Sequence, residues 1–377
     1  MFLSEAERRE TLWACRFCMM CHVADRVAAV LRRESYTPRG RANVLWALEK
    51  GMLAWDAEAA DLVYTAVNDG LLERWCVGNY PYEELIVDAR ARFFQKGAVP
   101  EEIRRRVEAI HAGREAGPAP AEILRAAGVA TQPGSPWVLF AGCNARRRSP
   151  QSLIHLGQLF NAAGIPFQVL EDEPCCGWTL YQLGDFEGAG AFSRRIADRL
   201  RRAGARDVIV IDADCLRMFT TRTVRFGGEV SGITFRHAVE ILAEWLRGER
   251  LAVRRPIPGP VTYHDPCALA RYRVTIDPPR RILQRIVEGE LREMEAGGPA
   301  SPCCGAGGML AEYKPEVAQE LAAWRLREAA ETGARLLATA CTRCDGMFRS
   351  AREADSSLPA PEVANLIDLV ALAVAPA

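Results

Sequence analysis

Thirteen cysteines in a chain of 377 residues constrain this protein more than any other feature, because most of them come in tight groups. Cys15, Cys18 and Cys21 follow one another at C-x2-C spacing, Cys341 and Cys344 repeat that spacing, and Cys175–Cys176 and Cys303–Cys304 are direct neighbours. An odd number in close pairs makes a poor disulfide framework and a good set of metal or cluster ligands in a reducing compartment. Thiolates are soft donors, so the metals they select are iron in iron-sulfur clusters, or zinc.

The remaining composition removes competing classes. With 49% hydrophobic and 25% charged residues the chain can bury ordinary globular cores, and its length suits two to three domains of about 100–200 residues. Basic and acidic residues balance at 48 each, which leaves no electrostatic footprint for nucleic acid. Charges fall where a signal peptide needs an apolar core. Asp368 interrupts the most apolar stretch, 366–375, so no membrane span is expected and the chain reads as cytoplasmic.

Periodic apolar positions, such as Leu45, Leu48 and Met52 or Leu85, Ile86, Ala89 and Phe93, predict helices through residue 112. GREAGPAPAEI at 113–123 has no apolar face and reads as a linker. From Trp137 the texture changes: WVLFAGC, FQVL and DVIVID predict strands beginning at 137, 167 and 207, separated by amphipathic stretches at 150–163 and 188–203. A Pro-rich break at 254–260 opens a second unit, with strands in GPVTYHDPC and ARLLATAC. Strands alternating with helices predict parallel α/β sheets.

The cysteines show that these two units repeat. Cys143 maps onto Cys267 at an offset of 124, Cys175 and Cys176 onto Cys303 and Cys304 at 128, and Cys215 onto Cys341 at 126. Both adjacent pairs are followed by glycine, at 177 and 305. Chance does not keep all four in register. Each copy places Cys just past a predicted strand, at the end where open parallel sheets hold their ligands.

At the N-terminus, CRFCMMC has the C-x2-C-x2-C spacing of bacterial ferredoxins, whose fourth Cys serves the other cluster of a two-cluster pair. Here the fourth place is Asp25, followed by Arg26 instead of Pro. Counting back from Cys76 through the same spacing gives Leu72, Asp69 and Ala66, a second motif that keeps only its fourth Cys. The two degenerate motifs together supply one set of four thiolates, Cys15, Cys18, Cys21 and Cys76, enough for a cubane 4Fe-4S cluster. Zinc and a helix with buried thiols are the competing readings. His22 and Asp25 read as surface helix residues.

The order Cys, CCG, C-x2-C resembles the CCG, or cysteine-rich, domain of heterodisulfide reductase subunits. The whole chain resembles the iron-sulfur subunits of glycolate oxidase, anaerobic glycerol-3-phosphate dehydrogenase and D-type heterodisulfide reductase. The motifs that carry this are CRFCMMC, TPRGR at 37–41, AGCN at 141, EPCCGW at 173, DADC at 212, YHDPC at 263, SPCCGAGGM at 301 and ACTRC at 340. The resemblance implies an α+β, multi-domain chain: a helical ferredoxin-like domain at 1–130, a degenerate CCG half at 135–252 and a complete CCG half at 258–377.

By the same resemblance, Cys267, Cys303, Cys304, Cys341 and Cys344 hold a non-cubane 4Fe-4S cluster. Two adjacent Cys cannot both face one centre from regular structure, so the backbone must turn sharply; Gly305, Gly307 and Gly308 permit that and bring amides to the sulfurs. In the first half the fifth position is Met218. Cys143, Cys175, Cys176 and Cys215 therefore leave a third cluster, zinc or an empty scaffold open. His264 reads as a proton relay or a structural histidine, and Arg146, Arg147 and Arg148 as a solvated loop face. The resemblance also suggests that Arg39 and Arg41 pack near the cubane.

No dinucleotide fingerprint, flavin motif or acid-base pair is visible, so substrate chemistry is expected on a partner. The resemblance implies an FAD-containing oxidase or other flavoprotein acting on a 2-hydroxy acid, with a further carrier or membrane subunit taking the electrons onward and holding the complex at a membrane. The alternative is reductive disulfide cleavage by this chain itself, and a third class is a zinc-binding assembly protein.

Overall fold

The computed structural model describes residues 1–374; the last residues of the 366–375 stretch and of the second half lie outside the described residues. Up to residue 126 the chain is helical, with helices at Glu5–Cys15, Arg26–Leu31, Pro38–Glu49, Ala57–Tyr64, Leu71–Arg74, Tyr82–Gln95, Glu101–His111 and Pro120–Ala126. The last of these replaces the end of the expected linker. Pro120 opens the helix and Leu124 is 1% exposed, so one apolar anchor suffices where no periodic face exists. Glu115, in the same stretch, pairs with Arg106 at 2.7 Å and with Arg147.

Two three-stranded parallel sheets follow. The first has the order β1 (Trp137–Phe140), β2 (Asp207–Val210), β3 (Thr234–His237). After a small parallel pair of β4 (Ile257–Pro258) and β6 (Val287–Glu288), the second repeats that order with β5 (Val261–His264), β7 (Leu336–Thr339) and β8 (Glu362–Asn365). Helices cover the sheets, which is why β1, β2 and β7 read as unbroken apolar runs. FQVL at 167 is a correction: it makes only an isolated bridge, Val138 to Gln168, and no strand. Instead the Gln168 side chain donates to the Ala203 carbonyl at 2.8 Å. The edge strands β3 and β8, interrupted by Thr234, Arg236 and His237 and by Glu362 and Asn365, do not read as apolar runs.

One buried side chain ties all three regions together. Arg90 donates to the carbonyls of Val63 and Ala66 in the N-terminal helices at 2.8 Å each, to Gln182 in the first half at 2.9 Å, and to Gly308 in the second at 2.9 Å. Its hydrogen bonds go to carbonyls, its guanidinium lies 5.2 Å from the Tyr64 ring centroid, and burial lowers its pKa to about 10.

Candidate metal centres

A capping box between Ser4 and Glu7 starts the first helix, which ends at Cys15. A turn and the short 3-10 segment Met20–Ala24 then carry Cys18 and Cys21, while Cys76 follows the turn Leu71–Arg74. The structure brings Cys76 to Cys15, Cys18 and Cys21. Burial and these three neighbours raise Cys15 to about 12, and burial with Cys76 and Cys18 raises Cys21 to about 11. The Tyr80 amide donates to the Cys76 sulfur at 3.4 Å. Asp25 is not at the surface. It caps the Arg26–Leu31 helix at Ala28 and forms a buried 3.0 Å ion pair with Arg41, beside Cys21. Arg41 thus lies near the four thiols, whereas Arg39 pairs with Glu34.

In the second half, Cys267 follows β5, Cys341 and Cys344 open the helix Thr342–Ala354 after β7, and Cys303–Cys304 sit on the loop between. Gly305 has φ +97° there, and a Cβ would lie 2.2 Å from the Ala318 carbonyl oxygen. Its amide and that of Gly307 each approach the Cys303 sulfur at 3.3 Å, the approach expected of this loop. Hydrogen bonds from Cys303 and Cys344 push Cys304 down, while Cys303 and Cys344 are pushed up. His264, Cys304 and Cys344 bring ligand atoms within 4.8 Å of one another. Arg325 Nε–H donates to His264 Nδ1 at 3.3 Å, so the neutral ring carries its proton on Nε2. Burial keeps that ring neutral.

The four cysteines of the first half also converge. Cys143 contacts Cys175, Cys175 contacts Cys176, and the Cys176 and Cys215 sulfurs are 3.3 Å apart. Met218 is fully buried against the turn, its Cε 3.4 Å from where a Gly177 Cβ would stand. The arginine run is another correction: 142–148 is a helix, Arg146 is 4% exposed, and Arg148 approaches Glu312 at 3.9 Å.

Several site residues were not singled out from the sequence, although the repeat offered a signal in CLRM and CTRC. Both Arg217 and Arg343 are buried; Arg217 stacks 4.7 Å from the Trp178 ring and 3.2 Å from Tyr272, and pairs with Glu83. Arg343 donates to the Ala306 carbonyl at 3.1 Å and pairs with Glu312 at 3.0 Å. The first half's Asp212 accepts from Thr342 of the second at 2.7 Å, and burial beside Asp212 raises Asp214 to about 7. The Ala66–Leu72 segment, read as a degenerate cluster motif, lies against the Cys303 loop. Asp69 forms a buried 2.9 Å pair with Arg271 there, near Cys267 and Cys303.

These donor sets fit soft metal centres. Clusters of four and five partly or fully buried thiols cannot all ionise beside one another without a cation, and the raised pKa values of most of them are what that repulsion and burial produce. No helix among the described residues is long and apolar enough to cross a membrane.

Residues 137–220 and 261–349 match the family model described as the cysteine-rich domain, CCG. The chain is 30% identical over 241 residues to the D subunit of dihydromethanophenazine:CoB–CoM heterodisulfide reductase from Methanosarcina barkeri, covering 63% of this chain and 58% of that protein. It is 29% identical over 224 residues to the "Probable iron-sulfur-binding oxidoreductase FadF" of Bacillus subtilis, covering 58% of this chain and 31% of that one. The chain therefore spans little more than half the length of the first of these relatives and about a third of the second. A hypothetical protein from Helicobacter pylori shares the fold, with TM-score 0.64 at 11% identity over all of this chain and 74% of that one. Residues 137–220 and 261–349 are thus two copies of the CCG cysteine-rich domain, and through them the chain is similar to CCG-type iron-sulfur oxidoreductases.

Proposed function

We propose that the chain is an iron-sulfur electron-transfer subunit of a flavin-linked oxidoreductase complex, of the glycolate oxidase or 2-hydroxy acid dehydrogenase type. The observation that carries this reading is the pair of thiol groups, Cys15, Cys18, Cys21 and Cys76 on one side and Cys267, Cys303, Cys304, Cys341 and Cys344 on the other, joined through Ala66–Leu72. In this reading residues 1–130 form a ferredoxin-like domain whose four thiolates hold a cubane 4Fe-4S cluster. The five thiolates of the half at 258–377 hold a non-cubane 4Fe-4S cluster, and the four of the half at 135–252 hold a third cluster or zinc. Bound there, iron-sulfur groups supply one-electron oxidation and reduction.

The chain's own residues set the conditions. The Gly305 and Gly307 amides stabilise negative charge on the Cys303 sulfur, and Arg325 holds His264 in the tautomer that keeps a proton on Nε2. Arg90 and the Asp69–Arg271 pair hold the two thiol groups at a fixed separation. Substrate oxidation belongs to an FAD-containing partner, and a further carrier or membrane subunit completes the chain of transfer.

Similarity to the D subunit of heterodisulfide reductase favours a second reading, in which the second half cleaves a disulfide with two electrons and two protons to give two thiols. Met218, which breaks the symmetry of the halves, ranks it below the first.

Iron and acid-labile sulfide, measured with EPR on anaerobically purified protein, test both readings. Iron-sulfur signals are expected, and zinc without iron sinks both. Cys76→Ala is expected to remove the cubane signal and leave the second-half signal intact. Disulfide turnover by the isolated chain with a reduced dye would replace the first reading by the second.

A further inference from the structure

Large exposed apolar side chains gather around one of the thiol groups. Phe17, Met19, Met20 and Val23 sit among or beside Cys15, Cys18 and Cys21, and Trp75 and Val77 flank Cys76. All are at least half exposed, Val23 and Val77 reaching 80% and 74%. Trp13, near the end of the first helix, adds a further exposed ring, 5.3 Å from that of Phe17. Scattered apolar residues on a surface need no explanation, but a contiguous collar does.

The collar also carries an unbalanced charge. Residues 13–24 and 74–80 include Arg16 and Arg74 and no carboxylate. The Arg16 guanidinium lies 3.6 Å from the Trp46 ring centroid and 5.2 Å from Phe17, and its side-chain hydrogen bond goes to the neutral Asn43. Exposed aromatics and methionine with arginine and without Asp or Glu is the composition of a protein interface core.

We infer that this collar is the docking surface for an acidic, soluble electron-carrier protein. The inference rests on the electron-transfer reading above and names the partner of its four-cysteine site. One electron passes between the reduced carrier, which is oxidised, and that site, which is reduced, with no bond formed or broken. The collar surrounds the thiols themselves, so a docked partner brings its redox group to the centre it must reach. Arg16 and Arg74 select an acidic rim on the partner. A second copy of this chain fits poorly, because a two-fold contact would set the same arginines against each other. A bilayer fits less well than a protein, because the apolar residues lie on two short segments that carry the four cysteines and lack the polybasic face of an interfacial helix.

The test compares the wild-type holoprotein with Phe17→Ser/Val23→Ser/Val77→Ser and with Arg74→Glu, using a reduced bacterial flavodoxin as the acidic probe and methyl viologen as the small reductant. Stopped-flow reduction of the wild type by flavodoxin is expected to slow as salt rises. Losing one hot spot's worth of contact should slow it about tenfold in each variant. Iron content, EPR signal and the methyl viologen rate should stay as in wild type. Equal flavodoxin rates in wild type and variants overturn the docking surface while leaving the electron-transfer reading standing. A wild type without cubane iron or EPR signal overturns both. Anionic liposomes that capture the wild type but not the variants, or a wild-type dimer that the variants lose, assign the collar to a membrane or a second copy and overturn the inference.

Discussion

The two CCG halves share strand order, parallel pairing and four cysteine positions, yet the N-terminal region packs differently on their cysteine loops. In the second half the loop after Cys304 presses against the N-terminal region. A Cβ on Gly307 or Gly308 would lie 2.4 Å from the Val67 or 2.2 Å from the Ala66 carbonyl oxygen. Cys303, Cys304, Cys341 and Cys344 are buried behind it. In the first half the corresponding chain runs directly into the helix Trp178–Leu183, and Cys143 and Cys175 line a cleft with Arg106, Arg147 and Arg195. A repeated scaffold has thus become one site in which only Cys267 is partly exposed and another in which Cys143 and Cys175 are partly exposed while Cys176 and Cys215 are buried.

Arg90 is the side chain through which the N-terminal helices grip both halves, so its removal has the largest expected effect. Arg90→Met leaves the carbonyls of Val63, Ala66, Gln182 and Gly308 buried without their donor. At about 1–3 kcal/mol for each orphaned group, partly relieved by relaxation, a loss of about 4 kcal/mol or more is expected in chemical denaturation. A loss under about 1 kcal/mol would mean that packing alone closes the second half.

Acid should separate the halves next. β3 and β8 end in equivalent caps of different chemistry. His237 Nδ1 accepts from the Val239 amide at 3.3 Å while Nε2–H donates to the Ile211 carbonyl at 2.9 Å; Asn365 Oδ1 accepts from the Ile367 amide at 3.0 Å. Burial lowers His237 to about 4, with Glu240 and Asp212 opposing it and Arg273 assisting. Above its unfolded value near 6.5 this histidine is neutral in both states and causes no loss. As pH falls toward 4 the unfolded chain binds a proton that the folded cap refuses, so stability drops, by about 3 kcal/mol in all. His237→Asn should copy the second half's cap and flatten that limb of the stability-pH curve by this amount. An unchanged limb would place the acid sensitivity elsewhere.

The enclosure itself can be opened at Gly308, whose φ is +59°. Gly308→Ala strains the backbone and drives a methyl at Ala66, for about 2 kcal/mol. In metal-free protein, Cys143 and Cys175 should react with a thiol reagent before the buried second-half cysteines, and the variant should narrow that difference. Mass spectrometry of the labelled peptides reads it; equal labelling in the wild type would remove the contrast between the halves.

Much of this contrast was legible in the sequence where the chemistry is covalent or the burial two-sided. The cysteine register located both halves, apolar runs gave β1, β2 and β7, the β-branched and aromatic VTY gave β5, and Met218 marked the departure. Pairing Cys76 with the first three cysteines also followed from spacing. Interactions across long sequence separations were not legible. Nothing local says that Asp25 meets Arg41, that Arg146 is buried, or that the Ala66–Leu72 segment packs on Cys303. FQVL had strand composition, but Gln168 found carbonyl partners outside a ladder, a tertiary choice that propensity does not encode. Arg217 and Arg343 stood in register in the repeat and show that such alignment also marks the residues around a site.

The smallest expected change in stability carries the sharpest question about the halves. Met218→Cys gives the first half a fifth thiol where Cys344 stands in the second. Met218 is fully buried, so the shorter side chain leaves a gap beside Gly177 and costs about 1–2 kcal/mol. If the fifth thiol is what distinguishes the two sites, iron and sulfide per chain should rise and a second-half type of EPR signal should grow. The reverse exchange, Cys344→Met, should diminish that signal. If iron is unchanged in Met218→Cys while Cys344→Met still loses it, then ligand number is not the deciding difference. The deciding difference would then be enclosure: in the second half the Ala66–Val67 carbonyls lie against the Gly307–Gly308 backbone, whose Gly307 amide reaches Cys303, whereas in the first half the Gly177 amide reaches Cys175 at 3.4 Å while Cys143 and Cys175 line a cleft.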